Sequence, residues 1–256
     1  MTAVRTIKLT AAAALVGVGL ALASVPVQAA TSVWVRDGNG GDVFNGGPGY
    51  VTLHIQVTRA DNSVWTPGVN VGAFALQYST PTSSGPWTNF LTYCLEPDET
   101  LGINSNGNAY QGTLGASIGS TAEYSASGAQ LRALYNNFFA DSLTSATKSA
   151  AFQVALWEVA YETAASYDAS DLLGSNAGKF RLVNPTTATN QVMSQALTYL
   201  SLFNGAWSAG EDVGVILRVG NQDLVVRIPV PEPATLGLLG AGLVGLGFAA
   251  RRRRPA

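Results

Sequence analysis

Two residues with complementary chemistry lie far apart in this sequence. Cys94 is the only cysteine of the 256 residues, and Gln153 lies inside the apolar run at residues 151–158. A lone thiol has no disulfide partner in its own chain, and a carboxamide among apolar side chains has no obvious hydrogen-bond partner. One reaction uses both groups: the thiolate displaces ammonia from the carboxamide and leaves an internal thioester. The pair therefore predicts a covalent crosslink that stores an acyl group.

A strand predicted at residues 90–95 must position the thiol. Alternation places Tyr93 on one face of this strand and Cys94 on the other, together with Thr92 and Glu96. The thiol thus shares the more polar face, where another element could cover it.

A helix predicted at residues 146–164 must position the carboxamide. Phe152 belongs to its buried stripe, and Gln153 forms an adjacent stripe with Trp157, one turn further on. Glu158 is expected on the solvent side. Gln153 would then lie at the edge of the apolar face, where a buried carboxamide without partners costs on the order of 1–3 kcal/mol.

The remaining pattern predicts an α+β fold: a β-rich scaffold, sandwich or barrel-like, with a helical insertion. The single ectodomain is expected at residues 30–229, with 30–125 mainly β, 128–203 mainly helical and 213–229 a closing hairpin. Other predicted strands cover 32–35, 50–58 and 71–78, and other predicted helices cover 129–139 and 189–203. Residues 102–120, rich in Gly, Ser and Asn, predict a long loop with short strands.

Both ends of the chain carry targeting patterns. Arg5 and Lys8 precede an apolar stretch at 11–23 and a small-residue cleavage site at 27–29, which predicts a secretory signal peptide over residues 1–29. At the other end, residues 230–256 combine a proline motif, an apolar helix at 234–250 and a basic stop-transfer cluster. The proline motif is Pro231, Glu232 and Pro233, and the basic cluster is Arg251, Arg252, Arg253 and Arg254.

This three-part tail resembles the PEP-CTERM sorting signal of Gram-negative bacteria. The resemblance implies that an exosortase, a membrane transpeptidase, processes the tail near the Pro-Glu-Pro. Such proteins are usually surface or matrix proteins of bacteria that make extracellular polysaccharide. The implied route is export, a transient anchor in the inner membrane, and then the cell surface or the extracellular matrix.

The ectodomain resembles the thioester domains of bacterial surface adhesins. Tyr93-Cys94 matches the aromatic-Cys motif near a strand end, and Gln153, Ala155 and Trp157 match the Gln-x-Ala-hydrophobic-Trp helix. The resemblance implies that Cys94 Sγ and the Gln153 side-chain carbonyl are joined, with Tyr93 and Trp157 excluding water. Phe152 departs from the pattern, because the better-known adhesins usually carry threonine before the glutamine.

Other chemistries have thinner support in the sequence. His54 is the only histidine, and a Cys94–His54 dyad is the one protease arrangement left open. Residues 37–42 offer oxygen ligands at alternating positions, but Pro48 stands where a calcium loop needs its glutamate. Acidic residues outnumber basic ones in the ectodomain, which argues against nucleic acid and anionic lipid as partners. No catalytic acid–base set, metal site or cofactor site is expected, and neither is enzymatic turnover.

The sequence therefore predicts an adhesin-like surface protein that captures, once and covalently, an amine- or hydroxyl-bearing protein or polysaccharide. The alternative is a structural or exopolysaccharide-associated matrix protein that binds non-covalently and has no thioester.

Overall fold

The computed structural model describes residues 31–38, 41–59, 61–80, 82–103, 109–118, 127–161, 172, 179–201, 213–218 and 220–227. The predicted signal peptide and sorting tail lie outside these residues. The strands are β1 (Thr31–Asp37), β2 (Val51–Thr58), β3 (Val64–Trp65), β4 (Gly68–Val71), β5 (Phe74–Ser79), β6 (Thr88–Cys94), β7 (Tyr110–Ser117), β8 (Phe180–Val183), β9 (Val213–Leu217) and β10 (Leu224–Arg227). The helices are α1 (Gly128–Ser142), α2 (Ala146–Tyr161) and α3 (Thr187–Ser201).

Six strands close into an antiparallel barrel in the order β1-β5-β6-β10-β9-β7. Register partners in an antiparallel pair point to the same face, so one face can be followed around the barrel. Val35 lies opposite Tyr78, and Cys94 lies opposite Leu224. Val33, Val35, Leu76 and Leu224 on this face are almost completely buried, which identifies it as the interior. The β-rich, barrel-like prediction is confirmed.

A second sheet is built around β2. β3 and β4 pair with β2, as does β8 from the helical half of the chain. Leu53, Ile55 and Val57 are fully buried and His54 is exposed, as the alternation of β2 predicts. The sheet covers one side of α2.

α2 is the central helix of the domain. It packs against α1, α3 and the β2 sheet, and residues 149–159 are buried without interruption. The prediction that Glu158 faces solvent is therefore wrong, since its side chain is buried. A helix covered on all sides has no solvent stripe, so the position of a charge no longer indicates exposure.

Tyr93 ties this helical layer to the barrel. Its hydroxyl lies 2.7 Å from Ser142 Oγ on α1 and 3.1 Å from Ser149 Oγ on α2. Burial raises the pKa of Tyr93 to about 12, with the two serine hydrogen bonds acting in the opposite direction. The Ser149 hydroxyl also accepts the Ala73 N–H at 2.8 Å. One buried group of hydroxyls thus links β6 to both helices.

We expect Tyr93→Phe to lower the free energy of unfolding by about 1 kcal/mol, measured by urea denaturation. Ser142 still donates to the Phe139 carbonyl, and Ser149 still accepts from the Ala73 N–H. Neither serine hydroxyl is therefore left without a hydrogen bond. Tyr50→Phe is the matched control, since Tyr50 is 44% exposed, and its effect should stay within about 0.5 kcal/mol. Equal effects of the two substitutions would contradict this role of the Tyr93 hydroxyl.

Candidate functional site

The Gln153 carboxamide pairs with the main chain of Cys94. The Cys94 N–H donates to Gln153 Oε1 at 3.0 Å, and Gln153 Nε2 donates to the Cys94 carbonyl at 2.6 Å. This edge of β6 is open there, because β5 begins at Phe74, opposite Thr92. The side chain therefore continues the β5–β6 hydrogen-bond ladder by one step. The two predicted site residues, which lie in different elements, are brought together.

Four residues of α2, spaced by one turn, form what we term the docking stripe: Ser149, Gln153, Trp157 and Tyr161. Residues at this spacing lie on the same helix face. Ser149 contacts the main chain before β5, Gln153 binds Cys94, and Tyr161 Oη donates to Asp98 Oδ1 at 2.7 Å. The stripe thus lies along the end of β6 and the residues that follow it.

The thiol of Cys94 faces the barrel interior and is 2% exposed. Burial is the main cause that raises its pKa, the Trp157 indole lowers it, and the negative charge of Glu96 raises it. The Trp157 Nε1–H is buried and makes no hydrogen bond of ordinary geometry. A thiol in this site is protonated at neutral pH.

The structure separates the two predicted shielding residues. Trp157 lies on the same side as the thiol, but the Tyr93 side chain leaves β6 on the opposite face, as alternation requires. The Tyr93 ring contacts Phe152, with the centroids 4.9 Å apart. Tyr93 thus supports the helix that carries Gln153, and its role in excluding water from a thioester stays a prediction.

Phe152 fills space within the helical layer. It is fully buried, and its ring lies 6.1 Å from the rings of both Tyr135 and Tyr199. Successive residues of a helix point about 100° apart, so Phe152 and Gln153 face different neighbours. The side chain that departs from the adhesin pattern thus packs away from the Cys94 main chain.

The sequence analysis did not single out Tyr161 and Asp98. The Tyr161 hydroxyl donates to Asp98, whose other oxygen lies 3.5 Å from Arg59 Nε. Burial first, and then the hydrogen bond to Asp98, raise the pKa of Tyr161. The spacing along the helix could have identified Tyr161, because it follows Trp157 by four residues, just as Trp157 follows Gln153.

Two alternatives from the sequence find no support in the described residues. A Cys94–His54 dyad is wrong, because Cys94 is buried in the barrel and His54 is exposed on β2 in the other sheet. The Asp37 carboxylate accepts the Gly41 N–H, which is a turn contact. Within the described part of the chain, no group of three His, Cys, Asp or Glu side chains could hold a metal ion.

Comparison with known proteins assigns the tail of the chain. Residues 229–254 match the family described as the PEP-CTERM protein-sorting motif. No curated protein and no solved structure matches the chain. Among the described residues no helix is long and apolar enough to cross a membrane, and the helix predicted at 234–250 lies outside them. The match confirms the predicted exosortase sorting signal, which implies export, a membrane-anchored intermediate and then the surface.

Proposed function

We propose that this exosortase-sorted surface protein carries an internal thioester between Cys94 and Gln153 and uses it for single-turnover covalent capture. The observation that carries the proposal is the two-point pairing of the Gln153 carboxamide with the Cys94 main chain. It holds the Gln153 side-chain carbonyl, which is the electrophile, against Cys94, which supplies the thiol nucleophile. Such positioning is what an intramolecular acyl transfer requires.

Formation of the thioester exchanges one bond for another. Cys94 Sγ attacks the side-chain carbonyl carbon of Gln153, a C–S bond forms, the C–N bond breaks, and ammonia leaves with the thiol proton. The Cys94 N–H, 3.0 Å from Oε1, stabilises the negative charge that develops on this oxygen. Because burial holds the thiol protonated, the proton must leave the sulfur before or during the attack.

Capture transfers the stored acyl group from the Cys94 sulfur to the partner. A partner's amine or hydroxyl attacks the same carbon, an amide or ester bond forms, and the C–S bond breaks. The nucleophile's proton balances the Cys94 thiolate, which becomes a buried thiol again. The reaction ends there, because Gln153 is now bonded to the partner. An adhesin that must hold a surface under load needs only this one event.

Two measurements on the purified ectodomain test the proposal. Its intact mass should fall short of the sequence mass by one ammonia, and methylamine should add once, at Gln153. A full sequence mass together with no methylamine adduct would overturn the thioester.

Trp157→Phe tests the shielding of the site. Phenylalanine keeps much of the apolar cover but removes the indole N–H that acts on the Cys94 thiol. We expect the spontaneous rate of thioester hydrolysis to rise severalfold, followed by mass spectrometry as gain of one water. Trp65→Phe, in the second sheet, is the control. Equal hydrolysis rates in wild type and Trp157→Phe would exclude Trp157 as the cover.

The non-covalent matrix protein is the second candidate, and one observation favours it. Both polar atoms of the Gln153 carboxamide are already hydrogen-bonded, so a purely structural role needs no crosslink. Thiol titration in denaturant separates the two candidates. One free thiol per untreated chain supports the structural protein, and none supports the thioester.

A further inference from the structure

One half of the barrel interior is not filled by the described side chains. Register pairing shows that the interior-facing residues at the end opposite Cys94 include Val33, Leu76, Tyr78, Phe90, Leu114 and Val226. Such side chains normally fill the interior of a small barrel, yet Tyr78, Phe90 and Leu114 are only half-buried. Gly214, the register partner of Val226, adds no side chain. The six interior-facing residues line part of a cavity of about 600 Å³.

The barrel wall is open between β6 and β10 beside this cavity. The two strands pair at only two register positions, which are Tyr93 and Cys94 of β6. At the next position Thr92 Oγ1, in place of a main-chain N–H, donates to the Val225 carbonyl at 2.6 Å. Residues 88–91 of β6 have no register partner on β10, although both strands are fully described. A gap therefore leads from the interior to the outside of the barrel.

The cavity extends through this gap to the outer side of the barrel. Its lining includes Phe90, which faces the interior, and also Asn89 and Leu91, which face outward. A cavity lined by both faces of one strand bends around the unpaired edge of that strand. α1 lies over this edge, because the ring centroids of Tyr93 and Phe139 are 6.1 Å apart. The outer part of the lining comes from Tyr135, Phe139 and Leu143 of α1.

The interior part of the lining is largely apolar and carries no charge. The Tyr78 and Phe90 rings meet edge to face there, with their centroids 5.5 Å apart. Among the described residues of the lining only Arg227 is charged, and its guanidinium lies on the outer side over the Phe139 ring, 5.7 Å from the centroid. Moving a charge into apolar surroundings costs far more than moving a neutral group. The interior therefore suits a neutral apolar group, and the cavity has the volume of a small-molecule pocket.

We propose that this half of the barrel binds a single acyl chain, which enters between β6 and β10 beneath α1. The bend around the β6 edge selects a flexible chain, because a rigid ring system of the same volume does not follow it. The polar end of the molecule stays outside, beside the Gln77 and Asn89 carboxamides, which hydrogen-bond to each other at 2.8 Å. A free monoacyl molecule and a membrane lipid offer the same chain. This inference does not depend on the thioester, because Cys94 lies at the opposite end of the barrel.

Photolabelling of the membrane-anchored chain tests the site. The mature chain, beginning near Ala30, is reconstituted in phosphatidylcholine vesicles and receives lauroyl glycerol with a diazirine in its acyl chain. After irradiation, mass spectrometry identifies the labelled peptides. We expect label in β5, β6 and β7, and excess unlabelled lauroyl glycerol should abolish it whereas butyroyl glycerol should not. Label confined to residues beyond 229 would overturn the proposal.

A second probe distinguishes the two sources of the chain. It is a phosphatidylcholine that carries the same diazirine acyl chain. Labelling of the barrel strands by both probes identifies a membrane lipid as a source, and labelling by lauroyl glycerol alone identifies a free monoacyl molecule. Labelling by neither probe would overturn the proposal.

Leu114→Trp fills the cavity from β7 and should lower the labelling of β5 and β6 severalfold. Thr113→Trp is the matched control, because Thr113 is the preceding residue of the same strand and is exposed on its outer face; labelling should stay at the parent level. Urea denaturation confirms that each variant is folded. Tyr78→Trp fills the same space from β5 and replaces Leu114→Trp if that chain does not fold. Equal labelling of the folded filling variant and the control would contradict the assigned site.

Discussion

Replacing Gln153 by alanine is expected to cost more stability than any other single substitution in the helical layer. In the crosslinked chain the side-chain nitrogen has left as ammonia, so the change removes one acceptor, the Oε1 that binds the buried Cys94 N–H, at about 1–3 kcal/mol. It also removes the crosslink. The crosslink stabilises the fold by about 4 kcal/mol, because it lowers the entropy of the unfolded chain. A loss of this size approaches the whole stability of a typical domain. We therefore expect little folded protein, measured by soluble yield and urea denaturation.

Gln153→Glu keeps the prediction testable if the alanine variant does not fold. A protonated glutamic acid can accept from the Cys94 N–H and donate to its carbonyl, but a carboxylate cannot donate. Burial raises the pKa of such a group above its unfolded value. Its stabilising contribution is therefore complete below the unfolded pKa, about 4.3, and is lost as the pH rises through the folded pKa. We expect the variant to be more stable near pH 4.5 than at pH 7.

Gln191→Ala is the control for both variants, because Gln191 is exposed on α3. Its effect should stay within about 0.5 kcal/mol. A Gln153→Ala variant with stability within that margin of wild type would contradict the role assigned to the carboxamide.

The alternation of apolar and polar residues correctly predicted strands that have one buried face and one exposed face. β2 alternates cleanly because one of its faces is buried and the other meets solvent, so Leu53 and His54 are told apart by sequence alone. β6 placed Cys94 and Tyr93 on opposite faces for the same reason. Both predictions depend only on the alternation of side chains along a single strand.

Features that depend on distant packing were not visible in the sequence. Residues 110–117 lie in the stretch predicted as a long loop with short strands, and they form one eight-residue strand, β7, which closes the barrel between β1 and β9. Gly112 belongs there because a Cβ at this position would lie 2.7 Å from Ile216 Cγ2. The burial of Glu158 and the Tyr161–Asp98 hydrogen bond likewise follow from elements that surround α2 in space. Periodicity along one helix carries no information on such neighbours.

Cys94→Ala separates the crosslink from the hydrogen bonds. Alanine keeps the main-chain N–H and carbonyl of residue 94, and without the thiol Gln153 keeps its Nε2, so the covalent bond is lost while both hydrogen bonds to the main chain form. The residues joined are 59 apart in sequence, and closing a loop of this length stabilises a fold by about 4 kcal/mol in the chain-entropy description. Because the regained Nε2 hydrogen bond offsets about 1 kcal/mol, we expect a net loss of about 3 kcal/mol in urea denaturation, and an intact mass equal to the unmodified variant sequence.

The double variant Cys94→Ala/Gln153→Ala gives the sharper measurement, because each single change abolishes the same crosslink. The loss of the crosslink is then counted twice in the sum of the single effects but once in the double variant. Only Cys94→Ala regains the Nε2 hydrogen bond, so the double variant should lose about 3 kcal/mol less than that sum. Additivity within about 0.5 kcal/mol would mean that hydrogen bonds alone join α2 to β6. Methylamine-treated wild type should also lose the contribution of the crosslink, since methylamine opens the same bond and leaves an N-methyl amide at Gln153.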